Sequence, residues 1–153
     1  MANSKAGFNG RRSHRKRGQS LVEFALVFPI FMMVLSGIMD FGFMLYSRMS
    51  VINASREAAH AAILATDYGI IPTIASGTAV SVASQGGVGI SSGSVSTTCL
   101  ATSTGSNTPL GSCGAAQPGD SVVVTVSYTY HSFFPLFFGA TFNLSSTTQM
   151  VIE

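Results

Sequence analysis

The sequence predicts an α+β protein: a long N-terminal transmembrane helix continuing as a stalk, followed by a small β-rich extracellular domain. Three observations lead there: one long apolar run near the N-terminus, an alanine-rich continuation without glycine or proline, and a late stretch of strict apolar/polar alternation. Of 153 residues, 46% are hydrophobic and only 9% charged. A soluble domain devotes about a quarter of its residues to charge, so much of this chain has no conventional solvated surface. Its mean hydropathy of +0.42 says the same.

The charges are also unevenly placed. Lys5, Arg11, Arg12, Arg15, Lys16 and Arg17 put +6 before Gly18, and the remainder carries two arginines against all six acids, leaving the net +2. A basic leader ahead of an apolar, mildly acidic body suits a membrane protein. A nucleic-acid binder would spread its positive charge over a folded face, so no nucleic-acid partner is expected. The organisation reads as a basic cytoplasmic leader (1–18), a transmembrane and stalk helix (19–68), a Ser/Thr/Gly-rich segment with two cysteines (69–118), and antiparallel strands completing the outer domain (119–153).

From Phe24 to Tyr46 only Pro29, Ser36, Gly37, Asp40 and Gly42 interrupt the apolar run. As a helix these residues reach about 34 Å, enough for a hydrocarbon layer of about 30 Å. A buried core helix is the weaker reading, because the remaining chain is too small and too rich in Ser, Thr and Gly to surround it. The run is too long for a secretory signal, and Asp40-Phe41-Gly42-Phe43 stands where a small-residue cleavage site should be. Arg11, Arg12, Arg15, Lys16 and Arg17 precede the run, while only Arg48 closely follows it, so the N-terminus is expected in the cytoplasm and residues 47–153 outside.

Within the run, Pro29 removes a backbone donor. Gly37 and Gly42 either admit a close neighbouring helix or reflect the ordinary frequency of glycine in membrane helices. Asp40 falls near the outer interface, either as an interfacial acid or as a contact to a partner helix.

The junction Arg15-Lys16-Arg17-Gly18-Gln19-Ser20-Leu21-Val22-Glu23-Phe24 resembles type IV prepilins and pseudopilins, with a basic leader, a glycine, and a glutamate as fifth residue of an apolar stretch. The resemblance implies cleavage of Gly18–Gln19 by a membrane prepilin peptidase, leaving Gln19 as the new amino terminus. Removing the leader would delete six positive charges that hold the helix end at the inner membrane face. In a bundle, Glu23 would then pair with a neighbour's amino terminus, since either charge alone is costly in a low-dielectric setting. Phe24 stands where pseudopilins of the tight-adherence class commonly carry tyrosine.

The opening RGQSLVEFAL, Pro29, the Gly37–Gly42 block and the Asn53-Ala54-Ser55-Arg56-Glu57-Ala58-Ala59 run, in this order and spacing, resemble the TadE-like family of tight-adherence pilus assembly proteins. The resemblance implies Glu23, Phe24, Gly37, Asp40 and Gly42 as subunit-assembly positions. It also implies other pilins or pseudopilins and the pilus assembly machinery as partners, with localisation in the bacterial inner membrane. His60 replaces the arginine the family often has near that position.

Residues 47–67 are helix-compatible, with Asn53, Arg56 or Glu57, and His60 on a polar face and Val51, Ala54, Ala58 and Ala62 among the others. A continuous helix over about 20–67 is therefore expected, ended by Gly69 and Pro72. From Thr73 to Ser112 the composition favours loops, with Ala79-Val80-Ser81-Val82 as a candidate short strand. Gly86-Gly87-Val88-Gly89 lacks the lysine of a phosphate loop. Cys99 and Cys113 are expected to pair in an exported domain, because no further ligands lie nearby for a metal.

The clearest strand is Asp120–Tyr130, with Val122, Val124, Val126, Tyr128 and Tyr130 on one face. A second covers Thr141–Ile152, with Phe142, Leu144 and Met150 among its apolar positions. This end of the chain resembles the TadE-like family more loosely than the helix does. Between the strands, the phenylalanines of Phe133–Phe138 are expected to pack on the stalk as core, with an assembly surface or membrane contact as alternatives.

Convergent catalytic groups are scarce outside the span, where His60 and His131 accompany Glu57, Asp67, Asp120 and Glu153. The sequence therefore reads as a non-enzyme with no cofactor, no metal and no small-molecule substrate. A membrane-tethered module that binds glycans or surfaces is the alternative from another class.

Overall fold

The computed structural model describes residues 14–102, 107–135 and 139–153, with side chains described from Gly18 onward. The element order is α1 (His14–Ile63), α2 (Ile71–Gln85), β1 (Val95–Ala101), β2 (Thr108–Pro109), β3 (Ser121–His131) and β4 (Thr141–Val151). The chain divides into two compact units, Met1–Met39 and Asp40–Glu153. It is thus a mixed α+β chain, with a long apolar N-terminal helix followed by a small antiparallel sheet domain.

In the first unit the described residues are α1 up to Met39. Apolar side chains point outward on all sides: Leu21, Val22, Phe24, Leu26, Val27, Ile30, Phe31, Val34 and Ile38 are all exposed. A helix that is apolar all round has no place in water. The Ser36 hydroxyl, the one alcohol between Leu21 and Met39, donates to its own helix at the Met32 carbonyl, 2.8 Å away, so it adds no unpaired donor.

The second unit is a two-layer domain. Its sheet has the order β2-β1-β3-β4, antiparallel throughout. Strict alternation puts Val122, Val124, Val126 and Tyr130 of β3 inside, facing the helices. Val123, Thr125, Ser127 and Thr129 line the other face, where Thr125 meets Thr147 and Thr129 meets Asn143. The helical layer is built from small residues. Val51, Ala54, Ser55, Ala58, Ala59 and Ala62 of α1 are buried at three-to-four spacing, as are Ile71, Ala75, Ala79 and Ala83 of α2. Ser55 is fully buried and bonds Ser146 (2.8 Å) and Thr148 (3.0 Å) of β4, which fixes α1 on the inner face of the sheet.

Three expectations need correction. The helix ends at Ile63 rather than 67, and Asp67 instead caps a short turn by accepting from the Gly69 amide. Pro72 does not stop a helix; it sits in the first turn of α2, where its missing N–H has no helical partner to lose. The segment expected to be mostly loop contains α2 and β1, and Ala79–Val82 is helical, because a small residue at every fourth position forms one continuous face. Gly86-Gly87-Val88 is a helix stop. Gly87 takes a left-handed φ of 67° and donates to Ser84, while Val88 donates to Ala83 and buries its side chain, the Schellman arrangement.

The Cys99–Cys113 disulfide joins β1 to the short turn at Cys113–Ala115. Closing a loop of about 15 residues constrains the unfolded chain by about 3 kcal/mol.

Candidate functional site: an apolar helix and a buried carboxylate

Most of the residues expected to act in assembly lie on α1. Arg11 and Arg12 fall outside the described residues. Arg15, Lys16 and Arg17 lie in the helix, with side chains outside the described set. Gly18 and Gln19 are exposed and inside the helix, so the bond between them belongs to a hydrogen-bonded backbone. Glu23 and Phe24 are exposed, and the Phe24 ring lies 5.3 Å from that of Phe28, one turn on. Gly37 is half-buried, and Gly42 is exposed with open space where a Cβ would be.

Asp40 is the residue that the tertiary structure redefines. It is 95% buried, and its partners come from its own domain. The Tyr130 hydroxyl donates to Oδ1 at 2.6 Å, the Ser132 hydroxyl donates to Oδ2, and the Phe133 amide donates to Oδ1 at 3.3 Å. Three donors from the end of β3 and the residues after it converge on one carboxylate of α1. This is how a buried charge becomes tolerable. Burial, followed by the hydrogen bond to Asp40, pushes the Tyr130 phenol up to about 12.

The start of β3 uses the same device. Asp120 is buried and accepts from the Thr102 amide (3.1 Å) and the Gln117 amide (2.8 Å). Gly119, at a φ of 95°, makes the turn that brings this carboxylate round. The longest buried strand is therefore anchored by a carboxylate at each end. Sequence reasoning placed Asp40 near an interface but did not pair it with β3, since the contact spans 90 residues. The residue types did carry a signal, because an acid beside an apolar run needs donors, and Tyr130-His131-Ser132 ends the best strand.

The Phe133–Phe138 expectation is corrected in its described part. Phe133 is 66% exposed and Phe134 40% exposed, so neither is core. The Phe133 ring sits 5.5 Å from that of Phe43 on α1. Phe137 and Phe138 lie outside the described residues.

Between α1 and α2 lies a cavity of about 310 Å³ lined by Tyr46, Met49, Ser50, Asn53, Val82, Gln85 and Gly86. Among the described residues, no group of three or more His, Cys, Asp or Glu side chains is placed to hold a metal ion.

Fold and site together define a class: a disulfide-stapled α+β domain that follows, among the described residues, one helix long and apolar enough to cross a membrane. Within that class, the family model described as TadE-like protein matches residues 18–60. The matched stretch holds the Gly18–Glu23 opening, Pro29, the Gly37–Gly42 block and the Asn53–Ala59 run. The similarity is confined to residues 18–60, the part of the chain that carries the apolar helix. No curated protein and no solved structure matches the chain.

Proposed function

We propose that this protein is a minor pilin or pseudopilin, or a closely related assembly component, of a tight-adherence pilus and secretion system. The observation that supports this most is the TadE-like stretch of α1 whose apolar side chains are exposed on every side. Such a helix needs lipid before assembly and other apolar helices after it. In this reading the N-terminus lies on the cytoplasmic side of the inner membrane. A prepilin peptidase cuts Gly18–Gln19, and the freed helix packs among those of other pilins. Glu23 meets a neighbour's new amino terminus, and the domain from Asp40 onward is displayed outside. No catalytic step is assigned to it.

The helical state of the Gly18–Gln19 bond favours a second reading, a permanently anchored accessory subunit that keeps its leader. A peptidase must unwind that turn first. Glycine lowers the cost, since it weakens a helix by about 1 kcal/mol relative to alanine.

Intact mass and N-terminal peptide mapping of the membrane-extracted protein, expressed with its native peptidases, separate the two. A chain beginning at Gln19 supports the pilin reading, and Glu23→Gln is then expected to lose assembly while leaving cleavage intact. A chain that still carries Arg11 to Gly18 rules out processing and leaves the accessory subunit.

A further inference from the structure

We infer that the connection after β3, residues Ser132–Pro135, is a second membrane contact that seats Phe133 and Phe134 in the outer interfacial layer of the bilayer. The inference rests on the reading of α1 as a membrane span. From Leu21 to Met39 that helix rises about 29 Å, close to the hydrocarbon thickness of about 30 Å. By length the hydrocarbon run is spent where Asp40 begins, and Phe41 and Phe43, both exposed, follow at interfacial depth. Asp40 and Phe43 are the residues that hold the connection, through the Phe133 amide, the Ser132 hydroxyl and the ring contact.

Two features of the connection suit lipid. First, its backbone donors are all spent. The Ser132 amide donates to the Ala140 carbonyl (3.2 Å), the Phe133 amide to Asp40 (3.3 Å) and the Phe134 amide to the Ser132 hydroxyl (3.2 Å), and Pro135 has none. Paired donors let the connection approach an apolar layer, where each unpaired one would cost several kcal/mol. Second, from Ser121 to Val151 there is no Asp, Glu, Lys or Arg, so neither strand brings a charge that would resist approach to the bilayer. Exposed Phe133 and Phe134, with the Phe133 ring against that of Phe43 on the helix, form an apolar patch. The Asp40 clasp also ties the strand connection to the helix at the depth where aromatic rings are stable.

The chain contains no tryptophan, so a single introduced indole reports on its own site. The full-length protein is reconstituted at low protein-to-lipid ratio in vesicles containing brominated phosphatidylcholine, as Phe133→Trp, Phe31→Trp and Gln117→Trp variants. Phe31 lies mid-span, and Gln117 is exposed beyond the opposite end of β3. The Phe133→Trp variant is expected to be quenched by brominated lipid and to lose several-fold of the acrylamide quenching seen for Gln117→Trp. Acrylamide quenching equal to that of Gln117→Trp overturns the inference. Protection from acrylamide without bromolipid quenching overturns it too, because protein then covers the ring. If Phe31→Trp also escapes bromolipid, the span reading itself fails; if Phe31→Trp is quenched and Phe133→Trp is not, only the second contact fails. Should Phe133→Trp lose the fold by circular dichroism, Phe134→Trp makes the same test.

Discussion

One helix carries two opposite surfaces. From Leu21 to Met39, α1 exposes large apolar side chains on every side, and from Ser47 to Ala62 it buries a seam of Ser, Ala and Val while exposing Asn53, Arg56, Glu57 and His60. The first stretch makes no core of its own and depends on surroundings the chain does not supply. The second depends on close approach to the sheet, which is why its buried residues are small. Asp40 stands at the change from one regime to the other. Large side chains are thus accepted where no other described residue covers the helix, and excluded where the neighbour is a fixed strand.

The sharpest way to break this contrast is to exchange the side-chain sizes. Ala58→Leu puts three extra carbons into a fully buried seam. It is expected to destabilise the outer domain by about 3 kcal/mol, read as a lower midpoint in denaturant titration followed by circular dichroism in detergent. Leu26→Ala is expected to leave that midpoint unchanged, and an equal loss from both would end the distinction. Next in size is Asp40→Ala, which strands the Tyr130 hydroxyl and the Phe133 amide. A loss of about 2 kcal/mol is expected, with faster hydrogen exchange at Phe133. If that amide stays protected, the clasp is not what holds it.

A smaller effect, about 1 kcal/mol, is expected for Ser55→Ala, which removes the hydroxyl shared with Ser146 and Thr148. The cavity left is only one oxygen in size, so a larger loss would mean that the seam depends on more than those bonds. The last prediction concerns pH. Tyr130 has an ordinary value of 10.0 and stands at about 12 in the fold, so the folded state favours the neutral phenol. That contribution is complete below pH 10 and is lost as pH rises from about 10 to 12. Tyr130→Phe should flatten this part of the stability profile, and an unchanged alkaline slope would assign it to another group.

Local pattern made much of this legible in advance. The apolar run is long enough to be a span whatever surrounds it, and β3 alternates so regularly that only one face can be buried. The helix α2 was hidden by composition, because Ser, Thr and Gly suggest loops, although the buried ladder Ile71, Ala75, Ala79, Ala83 and the Gly87 stop were both present in the letters. β1 was missed for another reason: Val95–Ala101 has little apolar pattern of its own and is a strand because β3 pairs with it.

The sequence by itself determined the quantities that depend on neighbours a few residues away: the apolar length of α1, the faces of β3 and β4, and the small-residue seam of the second half of α1. Only the tertiary structure decided the fate of Asp40 and of the phenylalanines after β3. A carboxylate's cost depends on which donors reach it, and here those donors arrive from 90 residues downstream. The same contact carries Phe133 to the side of Phe43 and leaves it exposed there. Periodicity reports which side chains share a face, while the partner of that face is set by chain closure over distances that no local pattern records.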